Sequence, residues 1–240
     1  MPDVFIDHKL VFMHNPKCGS RTLRNIALQV LQQYPSRYFG ALNNNQLCFV
    51  DKNNRSRIVG QMIQTPVPPS ENYTWEHCNV LGVYRLLKRF KIDPKGFTFL
   101  YVIRHPQHRY FAGYRYNVKT GTLTTKTTFS DYIMKNEKIT GATKLNLFPI
   151  EKFSANHHRY THHHHFIRLE NFATELKGFL ANYGFQTDKI DFNTHLHQSA
   201  GYQFDTPVSF SPMDLDFIQD YWAEDFRLGG YQIMPDLSFQ

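Results

Sequence analysis

Apolar positions along this chain fall into short runs that switch between a continuous pattern and a helical one. Leu10-Val11-Phe12-Met13, within Lys9 to His14, predicts a buried strand, and the stretch after it predicts a helix over about Arg21 to Tyr34. Gln46 to Val50 and Arg57 to Met62 flank the turn-rich Asp51-Lys52-Asn53-Asn54 and predict a hairpin. Thr65 to Tyr73 holds three prolines and predicts irregular chain. Trp75 to Phe90 places Val80, Val83, Leu86 and Leu87 at helical spacing. The near-continuous run Phe97 to Ile103 predicts a parallel strand buried on both faces, with a helix following Pro106. Beyond it, Lys119 to Thr128 reads as a mobile loop and Phe129 to Lys138 as a helix. His165 to Leu169 reads as a strand, with helices over Asn171 to Tyr183 and Pro212 to Phe226. Strands alternating with helices predict an α/β fold with a central, mainly parallel sheet flanked by helices.

No repeat and no biased linker divides the 240 residues, so a single domain over 1–240 is the expectation. The 41% hydrophobic content suffices for one sizeable core, and no run of about 18 apolar residues predicts a membrane span. The start, MPDVFIDHKL, lacks the apolar segment of a secretory signal, which favours a cytoplasmic protein; a soluble catalytic fragment of a membrane-anchored protein has the same signature. Cys18, Cys48 and Cys78 are odd in number and far apart, so neither a disulfide framework nor a CxxC metal site is expected. A formal charge of +7 favours anionic partners, whether nucleic acid, acidic glycan or a phosphorylated small molecule.

The chemistry concentrates where the first strand meets the first helix. HNPKCGSRTL, His14 to Leu23, is a glycine-containing strand-to-helix turn, where backbone N–H groups converge and the helix dipole adds positive potential. Lys17 adds a full charge, and Ser20 and Thr22 add hydroxyl donors, so the cluster suits a phosphate or sulfate. It is not a nucleotide triphosphatase loop: GxxxxGK[ST] places its Lys late, and here Lys17 comes early with no GK pair after it. The bland alternative is a tight turn with an exposed Lys and a capping Ser. A second constellation follows the second buried strand, in Arg104-His105-Pro106-Gln107-His108-Arg109-Tyr110-Phe111-Ala112-Gly113-Tyr114. It puts a guanidinium at the strand's carboxyl end, where α/β proteins bind ligands.

Together these two segments resemble the cofactor-binding signatures of sulfotransferases that use 3'-phosphoadenosine 5'-phosphosulfate (PAPS). They are closest to the carbohydrate and heparan sulfate branch, with H-x-P-K-T-G-[GS]-T-S-[FL] and R-[DN]-P-x-x-R-x-x-S-x-Y. Phe166 to Phe172, and Tyr221 to Phe226 with Gly230-Tyr231, are similar to later family segments, so the ordered matches span Val11 to Tyr231. The resemblance implies a P-loop-like, three-layer α/β domain. It also implies a 5'-phosphosulfate loop made of Lys17, Cys18, Gly19, Ser20, Arg21 and Thr22, and a 3'-phosphate ligand in Arg104. Two positions depart from the pattern: Arg21 stands where the family usually has Thr, and Ala112 where it has the Ser that helps hold the 3'-phosphate.

Sulfuryl transfer needs a base for the acceptor hydroxyl, and histidine suits it because its pKa lies near neutrality. His77, Glu76, His14, His105 and His108 are candidates; His77 is favoured because Trp75-Glu76-His77-Cys78 opens the helix before the Arg104 strand, where the glycan branch commonly carries its base. His162 to His165 alternate faces on a strand and make no preset tetrahedral site, so no metal is expected. Arg109 reads as a ligand contact or as an ion pair bracing its helix, and Arg168 and Glu170 as braces. The expected activity is transfer of a sulfuryl group from PAPS, leaving PAP, to a hydroxylated acceptor, either a glycan or a small metabolite. A kinase-like transferase and a non-catalytic polyanion-binding protein are the alternatives. No nucleic-acid motif is present, and the oligomeric state is not legible.

Overall fold

A computed structural model of the chain describes residues 2–43, 46–51, 53, 55–61, 80–123, 127–134, 163–193 and 207–239. His77, with Trp75, Glu76 and Cys78, lies outside them, as do Thr65 to Tyr73 and the histidines at 157, 158 and 162.

The strands are β1 (Asp3–Phe5), β2 (Leu10–Met13), β3 (Tyr38–Asn43), β4 (Gln46–Val50), β5 (Ser56–Gln61), β6 (Thr98–Ile103), β7 (His163–Arg168), β8 (Val208–Ser209) and β9 (Ser238–Phe239). The helices are α1 (Ser20–Gln33), α2 (Val80–Arg89), α3 (Pro106–Lys119), α4 (Phe129–Met134), α5 (Phe172–Asn182), α6 (Pro212–Tyr221) and α7 (Ala223–Gly229). Seven strands form one mixed sheet in the order β5-β4-β3-β1-β2-β6-β7, and β8 pairs with β9 apart from it.

The expected parallel arrangement holds through β2, β6 and β7, which carry the two charged segments. On the other side of β2 the pairs through β1, β3, β4 and β5 are antiparallel. The cause is chain length between strands. Only residues 6–9 join β1 to β2, with Lys9 at φ 50 closing the turn, and so short a link returns a strand antiparallel. A parallel neighbour needs a crossover, which α1 with the β3–β5 meander and α2 supply between β2 and β6.

Every residue of β2 and β6 is buried, and helices explain why on both faces. Leu10, Phe12, Leu100 and Val102 face one side, against Leu23, Ile26 and Val30 of α1 and Leu176 and Leu180 of α5. Val11, Met13, Phe99, Tyr101 and Ile103 face the other, against Val83 and Leu87 of α2. Each such side chain contributes about 1.5–3 kcal/mol on burial, which offsets the cost of ordering the strands. A third apolar cluster, around Tyr110, Tyr132 and Trp222, ties α3 to α4, α6 and α7. Ser211 caps α6 in a reciprocal arrangement with Asp214. No described helix is long and apolar enough to cross a membrane.

Candidate functional site

The chain leaves β2 at Met13 and reaches α1 at Ser20 through a turn with two left-handed residues, Lys17 at φ 60 and Gly19 at φ 73. Glycine suits 19 because of its left-handed backbone angle; a Cβ there would lie 2.9 Å from Leu169 Cδ1, the end of a side chain that can shift. Lys17 adopts the same backbone region against its own steric preference. The N-terminus of α1 has no side-chain cap, so the turn presents the helix's first amides instead of closing them. The side chains named from the sequence divide by direction. Cys18 is buried in the core with the α1 residues, leaving only its backbone to line the turn. Ser20 Oγ donates to the Asn15 carbonyl at 2.7 Å, holding the turn together. Thr22 is buried in the first turn of α1, whereas Arg21 is exposed and Lys17 partly so.

The parallel pairing of β2 with β6 brings the second charged segment to the same sheet edge, since Met13 lies opposite Tyr101. Asn15 Nδ2 donates to the Val102 carbonyl at 2.9 Å, and an Arg104 guanidinium N–H donates to the Lys17 carbonyl at 3.3 Å. Arg109 is fully buried: its Nε donates to the Pro16 carbonyl at 3.1 Å, it pairs with Asp225 at 3.4 Å, and it lies 4.5 Å over the Trp222 ring. Of the two sequence readings of Arg109, the brace is the one the structure shows. Glu170 accepts from the His105 backbone N–H at 3.0 Å and from the Tyr231 hydroxyl at 2.7 Å, and Arg168 pairs with Glu175 at 2.7 Å, so these also brace the edge. Burial pushes the Cys18 thiol up, with Arg109 and Arg104 opposing.

Two of the candidate bases are engaged elsewhere. His14 is 4% exposed; its Nε2–H donates to Asp3 Oδ2 at 2.7 Å, while its Nδ1 faces an Arg24 N–H at 3.3 Å, which sets the tautomer. The Tyr38 hydroxyl also donates to Asp3, and Arg24 Nε lies 3.6 Å from it. Burial pushes His14 down to about 3 despite the Asp3 carboxylate. Burial works to raise Asp3, but Arg24, His14 and Tyr38 outweigh it and hold the carboxyl low. His14 is therefore a neutral structural imidazole. His105 is 6% exposed and its Nε2 bonds the Gln232 carbonyl at 2.9 Å. His108, partly exposed on α3, is held below its ordinary pKa by burial and by Arg104 and His105, with Glu170 opposing; it is the described candidate that is both neutral and accessible.

The His14 cluster gives a pH prediction. Between about pH 6.5 and about 3 the unfolded chain binds a proton at His14 that the native state refuses, so this stabilisation is whole above about pH 6.5 and drains as pH falls towards 3. Asp3, also lowered, adds loss in the same direction below its ordinary pKa. Urea midpoints taken at pH 7, 5.5 and 4 should fall steadily, and His14→Gln should flatten the upper part of that fall. Equal slopes in the two proteins would refute the assignment.

Asp3, Arg24, Tyr38 and Tyr116 carry interactions that no local sequence pattern marks: all four lie outside the His14 to Leu23 and Arg104 to Tyr114 segments. Among the described residues no group of three His, Cys, Asp or Glu side chains is placed to hold a metal. The groove between α5 and residues 187–193, lined by Thr174, Lys177 and Asp188 among others, contains none of the expected site residues. No family model, curated protein or solved structure matches this chain, so the reading of the site rests on its own residues.

Proposed function

We propose that the chain is a sulfotransferase that takes its sulfuryl group from PAPS and passes it to a hydroxyl of a glycan or a small metabolite. One observation carries the reading: a left-handed, glycine-gated turn bearing Lys17 opens into an uncapped α1, and Arg104, from the adjacent parallel strand's end, is hydrogen-bonded to that same turn. The left-handed turn, the helix N-terminus without a side-chain cap and the nearby lysine fit an anionic phosphosulfate. Ala112, one helical turn before Tyr116, offers no donor to a 3'-phosphate.

The bound donor supplies an activated sulfuryl group whose bond to the phosphate oxygen breaks, with its electron pair leaving on PAP, as the acceptor oxygen attacks sulfur. In this reading the Lys17 ammonium neutralises charge on the departing phosphate, and the turn's amides orient it. Arg104 grips the 3'-phosphate. His77 takes the acceptor's proton, and His108 is the next choice. An imidazole base must be neutral, so activity rises with pH through an ionisation near about 6 to 7. His77→Asn should cut the chemical step by roughly 100-fold while sparing PAP binding, with Glu76→Gln as control. If Glu76→Gln abolishes turnover and His77→Asn does not, the base is the carboxylate.

Calorimetry with PAP, ATP and a sulfated oligosaccharide tests the whole reading. PAP should bind more tightly than ATP. Equal or tighter ATP binding would favour a kinase-like transferase, and oligosaccharide binding without nucleotide binding would favour the polyanion-binding protein to which Ala112 and the +7 charge also speak. Ala112→Ser should tighten PAP binding by about 0.5–3 kcal/mol, the range for a hydrogen bond including those to charged groups. No change there, together with none in Arg104→Ala, would remove the 3'-phosphate from this position.

A further inference from the structure

The loop lysine has a partner that its motif does not announce. Lys17 Nζ stands 3.1 Å above the centroid of the Tyr116 ring. Tyr116 is half exposed and belongs to none of the three apolar clusters, so its ring is not held there by core packing. The backbone under Lys17 is fixed from both sides. Arg109 Nε binds the Pro16 carbonyl before it, and Arg104 binds its own carbonyl, while φ 60 sets the direction in which its side chain departs. The remaining freedom lies in four side-chain torsions, and a ring face at the ammonium's end restricts them. An ammonium has three N–H donors and a ring occupies one side of it, so the contact can persist while an anion takes the other donors.

We infer that Tyr116 is a positioning residue for Lys17: the face of its ring holds the ammonium beside the β2–α1 turn and so sets where that charge meets an anionic ligand. The inference rests on Lys17 being an anion ligand, and it deepens that reading by giving α3 a direct part in placing the charge. The contact is electrostatic in origin, with the ring's negative face attracting the cation, and the phenol oxygen is not needed for it. Shape and polarity therefore make separate predictions.

Two readouts on the folded full chain test it. In the protein without ligand, the Lys17 ε-methylene protons should show an upfield ring-current shift by NMR, abolished in Tyr116→Leu and kept in Tyr116→Phe. Affinity for PAP and for inorganic pyrophosphate, measured by calorimetry, should fall about 3- to 30-fold in Tyr116→Leu and less than about 2-fold in Tyr116→Phe. A series of progressively fluorinated phenylalanines at position 116 should weaken binding stepwise, because fluorination drains the ring's negative face at nearly constant shape. In a Lys17→Met background the same changes at 116 should have no effect. Unshifted Lys17 signals, equal affinities for Leu and Phe at 116, a flat fluorination series, or an effect that survives Lys17→Met would each overturn the inference. Pyrophosphate binding with this ring dependence but no PAP binding would leave the inference standing and sink the sulfotransferase reading. Binding of neither probe would overturn both.

Discussion

On the proposed sulfotransferase reading, Lys17→Ala should lower the rate of sulfuryl transfer by about 100-fold or more, because it would remove a preorganised charge aimed at the leaving phosphate. The expected signature is a fall in kcat as well as in kcat/KM, since the interaction strengthens as charge develops in the transition state. The substitution also shortens a side chain at a left-handed position, where Ala is no better tolerated than Lys, so backbone strain is nearly unchanged and unfolding midpoints should move little. Lys17→Arg separates charge from position: it keeps the cation but alters its reach and its fit over Tyr116, and partial activity is expected. Full turnover in a folded Lys17→Ala protein would take the leaving-group role away from this residue.

Asp225→Ala should destabilise the fold by about 3–5 kcal/mol, the range seen when one partner of a buried ion pair is removed. Both Asp225 and Arg109 are fully buried, so the guanidinium that remains cannot recover its lost partner from water. For a chain of this size each kcal/mol lowers Tm by about 2–4 °C, so a drop of roughly 6–20 °C is expected in a thermal scan. Replacing the pair with apolar residues, Arg109→Met with Asp225→Leu, should restore much of that stability, because no unpaired charge is left. It should not restore anion affinity, since the Pro16 carbonyl also loses its Arg109 donor and the Lys17 turn loses a clamp. A double variant that regains both would show that Arg109 is a brace alone. An Asp225→Ala protein as stable as the parent would mean that the pair contributes nothing measurable.

The two buried networks, around Arg109 and around His14, are each only half visible in the sequence. Arg109 lies five residues after Arg104 in a motif that drew attention on sequence grounds, yet its partner is 116 residues away and no local pattern connects them. The His14 cluster is similar: His14 was legible as part of the loop, but Asp3 belongs to a three-residue strand too short for any periodic signal, and Tyr38 to a strand recognisable only through its neighbours. Without β1 and β3 in view, His14 reads as a possible base; with Asp3 and Arg24 bound to its two nitrogens, it is a buried anchor beneath the turn.

What the sequence by itself determined is local and covalently close. Leu10 to Met13 followed by a polar, glycine-bearing turn dictates strand, turn and helix within about 25 residues. Phe97 to Ile103 ending in Arg104 and Pro106 dictates a second such unit, and the β4–β5 hairpin follows from its turn. Periodicity and turn chemistry act over one or two helical turns, so they are readable wherever the partners are neighbours in the chain. Tertiary structure decided everything that required distant segments to meet: the mixed sheet, the two arginines clamping the Pro16 and Lys17 carbonyls, the burial that neutralises His14, and the Tyr116 ring under the Lys17 ammonium. The reason is physical. Burial, charge compensation and ring contact depend on strand register and helix packing, which form only after long loops close, and no short window of sequence encodes their outcome.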